Sequence, residues 1–144
     1  MKIFSFFSGA GFLDLGFEKE EYEIVFVNEY NEDFLNAYKY AHKMMNLKQP
    51  RYGYYCGDIN NLLRGNLRHQ LKKNVGEAKK SDLVGFIGGP PCPDFSVAGK
   101  NAGIIGNNGM LTNSYKRVIL DQEPDFFVFE NVKGLWSTKK HRIE

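Results

Sequence analysis

Lys2-Ile3-Phe4-Ser5-Phe6-Phe7-Ser8-Gly9-Ala10-Gly11-Phe12 sets an apolar strand pattern, a glycine turn and a helix start in immediate succession. Residues 2–7 read as a buried β-strand, because a short, almost wholly apolar run fits a strand covered on both faces. Gly9 and Gly11 let the backbone turn tightly beneath a ligand. Residues 11–20 then carry a helical pattern that ends in acidic residues before Tyr22.

The alternation continues outward from this unit. Residues 23–28, Glu-Ile-Val-Phe-Val-Asn, read as a second strand, and Asn31 or its neighbour caps a helix bearing Phe34, Leu35, Tyr38, Ala41, His42 and Met45 at spacings of three and four. Tyr54-Tyr55-Cys56 reads as a short third strand, with Cys56 packed, and residues 60–80 as a polar, basic and partly helical stretch. A fourth strand is expected at 83–87, a long glycine-containing loop at 97–109, a helix at 111–122 stopped before Pro124, and a fifth strand at 126–129. Strands alternating with helices imply an α/β fold, a Rossmann-like doubly wound parallel sheet with helices on both faces. Such sheets bind ligands outside the carboxyl ends of their strands. Phe7-Ser8-Gly9, Glu29, Asp58, Pro90-Pro91-Cys92 and Glu130-Asn131 all fall at those ends.

Composition narrows the class. With 144 residues, 42% of them hydrophobic, the chain is long enough for one domain with a core and unlike a disordered segment. No apolar run approaches the roughly 20 residues of a membrane span, and the N-terminus lacks a signal-peptide pattern. A cytoplasmic protein with reduced thiols is expected. Cys56 and Cys92 form no CxxC pair and have no histidine at metal-ligand spacing, so no metal site is expected. The net charge of +2 is too small to demand a polyanionic partner, although Arg64, Arg68, Lys72, Lys73, Lys79 and Lys80 gather in one stretch. Phe4, Phe6, Phe7, Phe12, Phe17 and Phe26 read first as core residues.

Gly88-Gly89-Pro90-Pro91-Cys92-Pro93-Asp94-Phe95-Ser96 follows the fourth strand. Prolines hold a single cysteine in a rigid loop at a strand end, where a thiolate is exposed and fixed in angle, as a nucleophile requires. At the other end of the sheet's ligand edge, Glu29 lies about 20 residues after the glycine turn, where an acid accepts ribose hydroxyls. Asp58 suits the exocyclic amine of an adenine. Both NAD and S-adenosylmethionine carry such a ribose. A pyrophosphate needs room at the helix N-terminus, where Phe12 stands, which tilts the choice toward S-adenosylmethionine.

Phe7-Ser8-Gly9-Ala10-Gly11, Gly89-Pro90-Pro91-Cys92-Pro93-Asp94-Phe95-Ser96 and Phe129-Glu130-Asn131-Val132 together resemble the cofactor loop, Pro-Cys loop and Glu-Asn-Val motif of the DNA (cytosine-5)-methyltransferase family, in that family's order. The resemblance implies a methyltransferase domain over 1–144, with S-adenosylmethionine as cofactor and DNA, with its target cytosine flipped out, as partner. Phe7, Ser8, Gly9, Ala10 and Gly11 would form the cofactor loop, with Phe7 against the adenine. Glu29 would hold the ribose and Tyr30 would stack on the adenine. Asp58, Ile59, Pro91 and Leu111 would complete the pocket. Cys92 would be the nucleophile and Glu130 its acidic partner, while Ser96, Lys100 and Asn131 would contact the DNA. A tRNA cytosine-5 methyltransferase, and a binding remnant without catalysis, are the alternatives.

The family pattern also has a later arginine-bearing motif, a target-recognition region and a final asparagine motif, and none of these is found here. The sheet is therefore expected to be incomplete on its C-terminal side. The chain is then half of a split enzyme completed by a second polypeptide, a truncated product or a fragment, and weak or absent methylation by the chain alone is expected. Ser5 replaces an acid that the family often has before the glycine loop, and Phe12 replaces a glycine.

Overall fold

Ile3, Phe4, Ser5 and Phe6 are all essentially inaccessible to solvent, which is the burial expected of a strand covered on both sides. In the computed structural model, which describes residues 1–91 and 107–131, this strand is the centre of the sheet. The elements run β1 (Lys2–Phe6), α1 (Phe12–Lys19), β2 (Glu23–Glu29), α2 (Glu32–Met44), β3 (Tyr54–Cys56), a 3-10 turn (Ile59–Leu63), α3 (Gly65–Lys79), β4 (Val84–Gly88), α4 (Asn107–Gln122) and β5 (Phe126–Phe129). All strand pairs are parallel, in the order β3-β2-β1-β4-β5. Chain order reverses direction between β1 and β4, the switch point at which doubly wound sheets open a crevice.

Alternation along the strands builds two cores. Phe4 and Phe6 of β1, Val84 and Phe86 of β4, and Phe26 of β2 pack with Ile59, Leu62, Leu71, Val75, Tyr115 and Val118 from the 3-10 turn, α3 and α4. Ring centroids lie 5.0 Å apart for Phe6–Phe86 and 5.6 Å for Phe6–Tyr115, in the tilted arrangement that aromatic quadrupoles favour. On the opposite face Ile3, Ile24, Val27 and Ile87 pack with Leu13 and Phe17 of α1 and Leu35 and Tyr38 of α2. Asn31 Oδ1 accepts from the Phe34 N–H at 3.1 Å, so the cap read from the sequence is formed.

Three expectations are corrected. Phe12 is 85% exposed rather than in the core, because Leu13 and Phe17, four residues apart, carry the face of α1 that meets the sheet. Cys56 is exposed rather than packed, since it ends a three-residue strand at the edge of the sheet. Helix α4 begins at Asn107, so residues 107–109 of the expected loop are helical. Those positions carry no apolar signal, and the helix extends from the packed turns at Leu111, Tyr115 and Val118. Residues 97–106 lie outside the described residues.

Candidate active site

The strand ends converge on a cavity of about 450 Å³, within the range of about 300–1,000 Å³ typical of small-molecule sites. Phe7 and Gly9 enter it from β1, Glu29 and Tyr30 from β2, Asp58 and Ile59 from β3, Pro91 from β4 and Leu111 from α4. Eight of the expected cofactor residues thus share one cavity. Ser8, Ala10 and Gly11 shape the turn without lining it.

The turn is built by unusual backbone geometry. Phe7, Gly9 and Gly11 have φ of 54°, 54° and 91°. A left-handed conformation at a phenylalanine costs on the order of 1 kcal/mol and persists where the surroundings enforce it. Here the Phe7 ring packs edge-on against buried Tyr115, with centroids 6.0 Å apart. Gly11 has no alternative residue, because a Cβ there would stand 2.6 Å from a Tyr38 ring carbon. The Gly11 N–H closes the turn on the Ser8 carbonyl at 2.9 Å, and the Ser8 N–H donates to the Asn28 carbonyl at 3.2 Å. Ser8 Oγ is buried and takes no hydrogen bond among the described residues.

Glu29 orders the neighbourhood. Its Oε2 accepts from the Gly9 N–H and its Oε1 from the Asn31 N–H, both at 2.8 Å. The carboxylate is almost fully buried, so these bonds fix its orientation toward the cavity that it lines. Asp58 accepts from the Asn60 N–H at 2.8 Å and from the Asn60 side-chain amide at 2.9 Å, both through Oδ1. Oδ2 takes no hydrogen bond among the described residues. Tyr30 is 74% exposed, so its ring forms an open wall.

Sequence reasoning missed Asn28 and Phe34, which also line the cavity. Buried Asn28 donates from its amide to the Tyr55 carbonyl at 3.1 Å and the Gly57 carbonyl at 2.9 Å, clamping the β3 end beside β2. Its signal was a polar residue in a run otherwise buried and apolar, which must find a partner. Phe34 follows the helix cap and is half-exposed, which gave no signal.

Glu130 stands at the end of β5, where its N–H donates to the Gly88 carbonyl at 3.0 Å. Its side chain lies over Gly89, where a Cβ would come within 2.7 Å of Glu130 Oε2. The acid is therefore seated on the second glycine of the Gly-Gly-Pro-Pro-Cys run. Asn131 is half-buried beside it. Cys92, Ser96 and Lys100 lie outside the described residues. A second cleft, formed by Ile119, Leu120, Pro124, Phe126 and Phe127, lies at the far end of β5 and α4 and shares no residue with this cavity. No group of three or more His, Cys, Asp or Glu side chains among the described residues could hold a metal. Among those residues no helix is long and apolar enough to cross a membrane.

The switch-point cavity, its acid-tipped strands and the sheet order define a Rossmann-like methyltransferase fold. The solved structure of an E. coli prophage protein assigned as a DNA modification methyltransferase shares that fold, with a TM-score of 0.67 and 24% identity over 99% of this chain and 34% of the other. The model of the C-5 cytosine-specific DNA methylase family matches residues 1–143, and the chain belongs to that family. Type II methyltransferase M.NmeDI of Neisseria meningitidis serogroup C is 56% identical over 141 residues, covering 97% of this chain and 34% of the relative. Type II methyltransferase M.FnuDI of Fusobacterium nucleatum is 40% identical over 96% of this chain and 34% of its own. Type II methyltransferase M.AquIA of Picosynechococcus is 36% identical over 96% of this chain and 52% of its own. The chain thus spans about a third of the length of the first two relatives and about half of the third.

Proposed function

We propose that this chain is the cofactor-binding and nucleophile-bearing portion of a DNA (cytosine-5)-methyltransferase that uses S-adenosylmethionine and serves a restriction-modification system in the cytoplasm. The convergence of Phe7, Glu29, Tyr30, Asp58 and Leu111 on one cavity, with Glu130 seated on Gly89, carries this reading.

The cavity suits an adenosyl group better than a dinucleotide. Glu29 and Asp58 line it, and no lysine or arginine does so among the described residues. Two carboxylates without a cation repel a pyrophosphate but accept hydroxyl and amine hydrogens. Phe12 is exposed and does not line the cavity, so discrimination rests on these acids rather than on its bulk. Glu29 would hold the ribose hydroxyls, Phe7 and Tyr30 would flank the adenine, and Asp58 would accept from its amine.

The bound cofactor supplies an electrophilic methyl group. The chain's own residues prepare the acceptor. Carbon 5 of cytosine is a poor nucleophile, so Cys92 adds as a thiolate to carbon 6, and the ring's electrons move toward N3 and carbon 5. Glu130, as the proton-bearing carboxyl, donates its O–H to N3 and stabilises the charge that develops there. After methylation a base removes the carbon 5 proton, and the Cys92 sulfur leaves with its electron pair. The target carbon is hidden in duplex DNA, so the cytosine must leave the stack. Ser96, Lys100 and Asn131 would contact the DNA around it.

The relatives are two to three times longer than the matched region, which supports assigning target recognition to protein beyond this sequence, either continuous with it or on a second polypeptide. The test is transfer of labelled methyl from S-adenosylmethionine to DNA, by the chain alone and with that remainder supplied. Transfer that requires the remainder and vanishes in Cys92→Ser supports the reading. Transfer that persists in Cys92→Ser overturns it.

A further inference from the structure

The glycine turn is anchored from behind by a carboxyl group that the reaction above does not use. Asp14, in the first turn of α1, is completely buried. Its Oδ1 accepts from the Ser5 hydroxyl at 2.7 Å and its Oδ2 from the Tyr38 hydroxyl at 2.9 Å. Ser5 precedes the turn and Asp14 follows it, so this bond closes the base of the loop. Tyr38 is also the loop's floor, since its ring leaves no space for a Cβ at Gly11.

Burying a carboxylate without a cation is costly. The titratable groups around Asp14 are Glu18 on its own helix, Tyr38 and His42 on α2, and Tyr54 on β3. His42 is buried, with its Nε2 3.4 Å from Glu18 Oε2, and burial disfavours its charged form. Lys39 lies over the Tyr54 ring, 5.1 Å from its centroid. A hydrophobic pair would fill the same space at lower cost, so the two aimed donors mark a built constraint.

We propose that Asp14 is a positioning residue, which acts through Ser5 and Tyr38 to hold residues 8–11 in the conformation that places the Gly9 N–H on Glu29. This deepens the proposed function and rests on it only for the consequence, tight cofactor binding. An acid–hydroxyl pair across the loop is required, whichever side carries the acid.

The test compares the full chain with Asp14→Ser and with the exchanged pair Ser5→Asp/Asp14→Ser, by residue-resolved amide hydrogen exchange and by calorimetric titration with S-adenosylmethionine. Asp14→Ser should speed exchange at Gly9 and Gly11 by about tenfold or more, leave Phe4 and Val27 unchanged, and weaken binding by about tenfold, the loss of one to two buried hydrogen bonds. The exchanged pair should bring both readouts back to within about threefold of the original. If Asp14→Ser does not fold, Ser5→Ala and Tyr38→Phe, each removing one donor, serve for the same comparison. Unchanged exchange at Gly9 and Gly11 overturns the proposal, as does a uniform rise that includes Phe4 and Val27, or a failure of the exchanged pair to restore the loop. Restored loop protection in a chain that takes up no cofactor supports the positioning role and overturns the cofactor reading instead.

Discussion

The Glu29 carboxylate receives the Gly9 N–H at 2.8 Å, so the acid at the end of β2 holds the glycine turn at the end of β1. Its other oxygen receives the Asn31 N–H at 2.8 Å. One carboxylate thus sets the turn, the entry to α2 and a wall of the cavity together. A glutamine has one acceptor oxygen for two donors and would set its amide hydrogens against an N–H. Glu29→Gln should therefore destabilise the chain nearly as much as Glu29→Ala, by about 1–3 kcal/mol. Denaturant titration checks this, and a Gln variant as stable as the original would contradict the geometry.

Gly89→Ala tests the seat of Glu130. The new methyl would meet Glu130 Oε2 at 2.7 Å, and a glutamate side chain can swing away from it. We expect a small change in stability, below about 1 kcal/mol. Methyl transfer by the completed enzyme should fall by about tenfold or more, as expected when a group acting on the developing charge is displaced. The same fall is expected for Glu130→Gln, and the double variant should be no worse than either alone.

Gly11→Ala combines a φ of 91° with a clash against the Tyr38 ring at 2.6 Å. Neither strain can relax without moving α1 or α2. The expected loss is about 2–4 kcal/mol. In a chain of this size that lowers the melting temperature by roughly 5–15 °C. Gly16→Ala, with nothing within 4 Å of the added methyl, is the control and should be neutral or slightly stabilising.

Stability should fall as pH rises from about 4 to about 7. Burial pushes Asp14 up to about 6 from an ordinary value of 3.8, against the opposing hydrogen bonds from Ser5 and Tyr38. Burial and the neighbouring Asp14 charge push Glu18 up to about 7 from 4.5. Between these values the folded chain binds more protons than the unfolded chain, so folding is favoured at the acidic end and the advantage is lost through the folded values. Thermal melts across this range should show the slope, and Glu18→Gln should flatten its upper half, between about pH 5 and 7.

Much of this was legible because it is written in short-range pattern. Alternation and apolar runs gave all five strands, and the strand-end positions of Glu29, Asp58 and Glu130 followed from counting along them. What escaped was decided by tertiary contact. Phe12 and Leu13 are equally apolar neighbours, and only the rotation of α1 against the sheet packs Leu13 on the core, partly buried, and exposes Phe12. Asp14 reads as an ordinary acid in a first helical turn. It is buried between the hydroxyls of Ser5 and of Tyr38, 24 residues later, and both donate to it. The helical state of residues 107–109 likewise comes from the packing of the turns that follow them.

Calorimetric titration of the chain with S-adenosylmethionine, alongside Glu29→Ala and Cys92→Ser, shows whether the strand-end cavity holds the cofactor. We expect one binding site, competed by S-adenosylhomocysteine, weakened by about tenfold or more in Glu29→Ala as charge-assisted hydrogen bonds are lost, and kept in Cys92→Ser. Binding that Glu29→Ala leaves unchanged would place the cofactor elsewhere and contradict it.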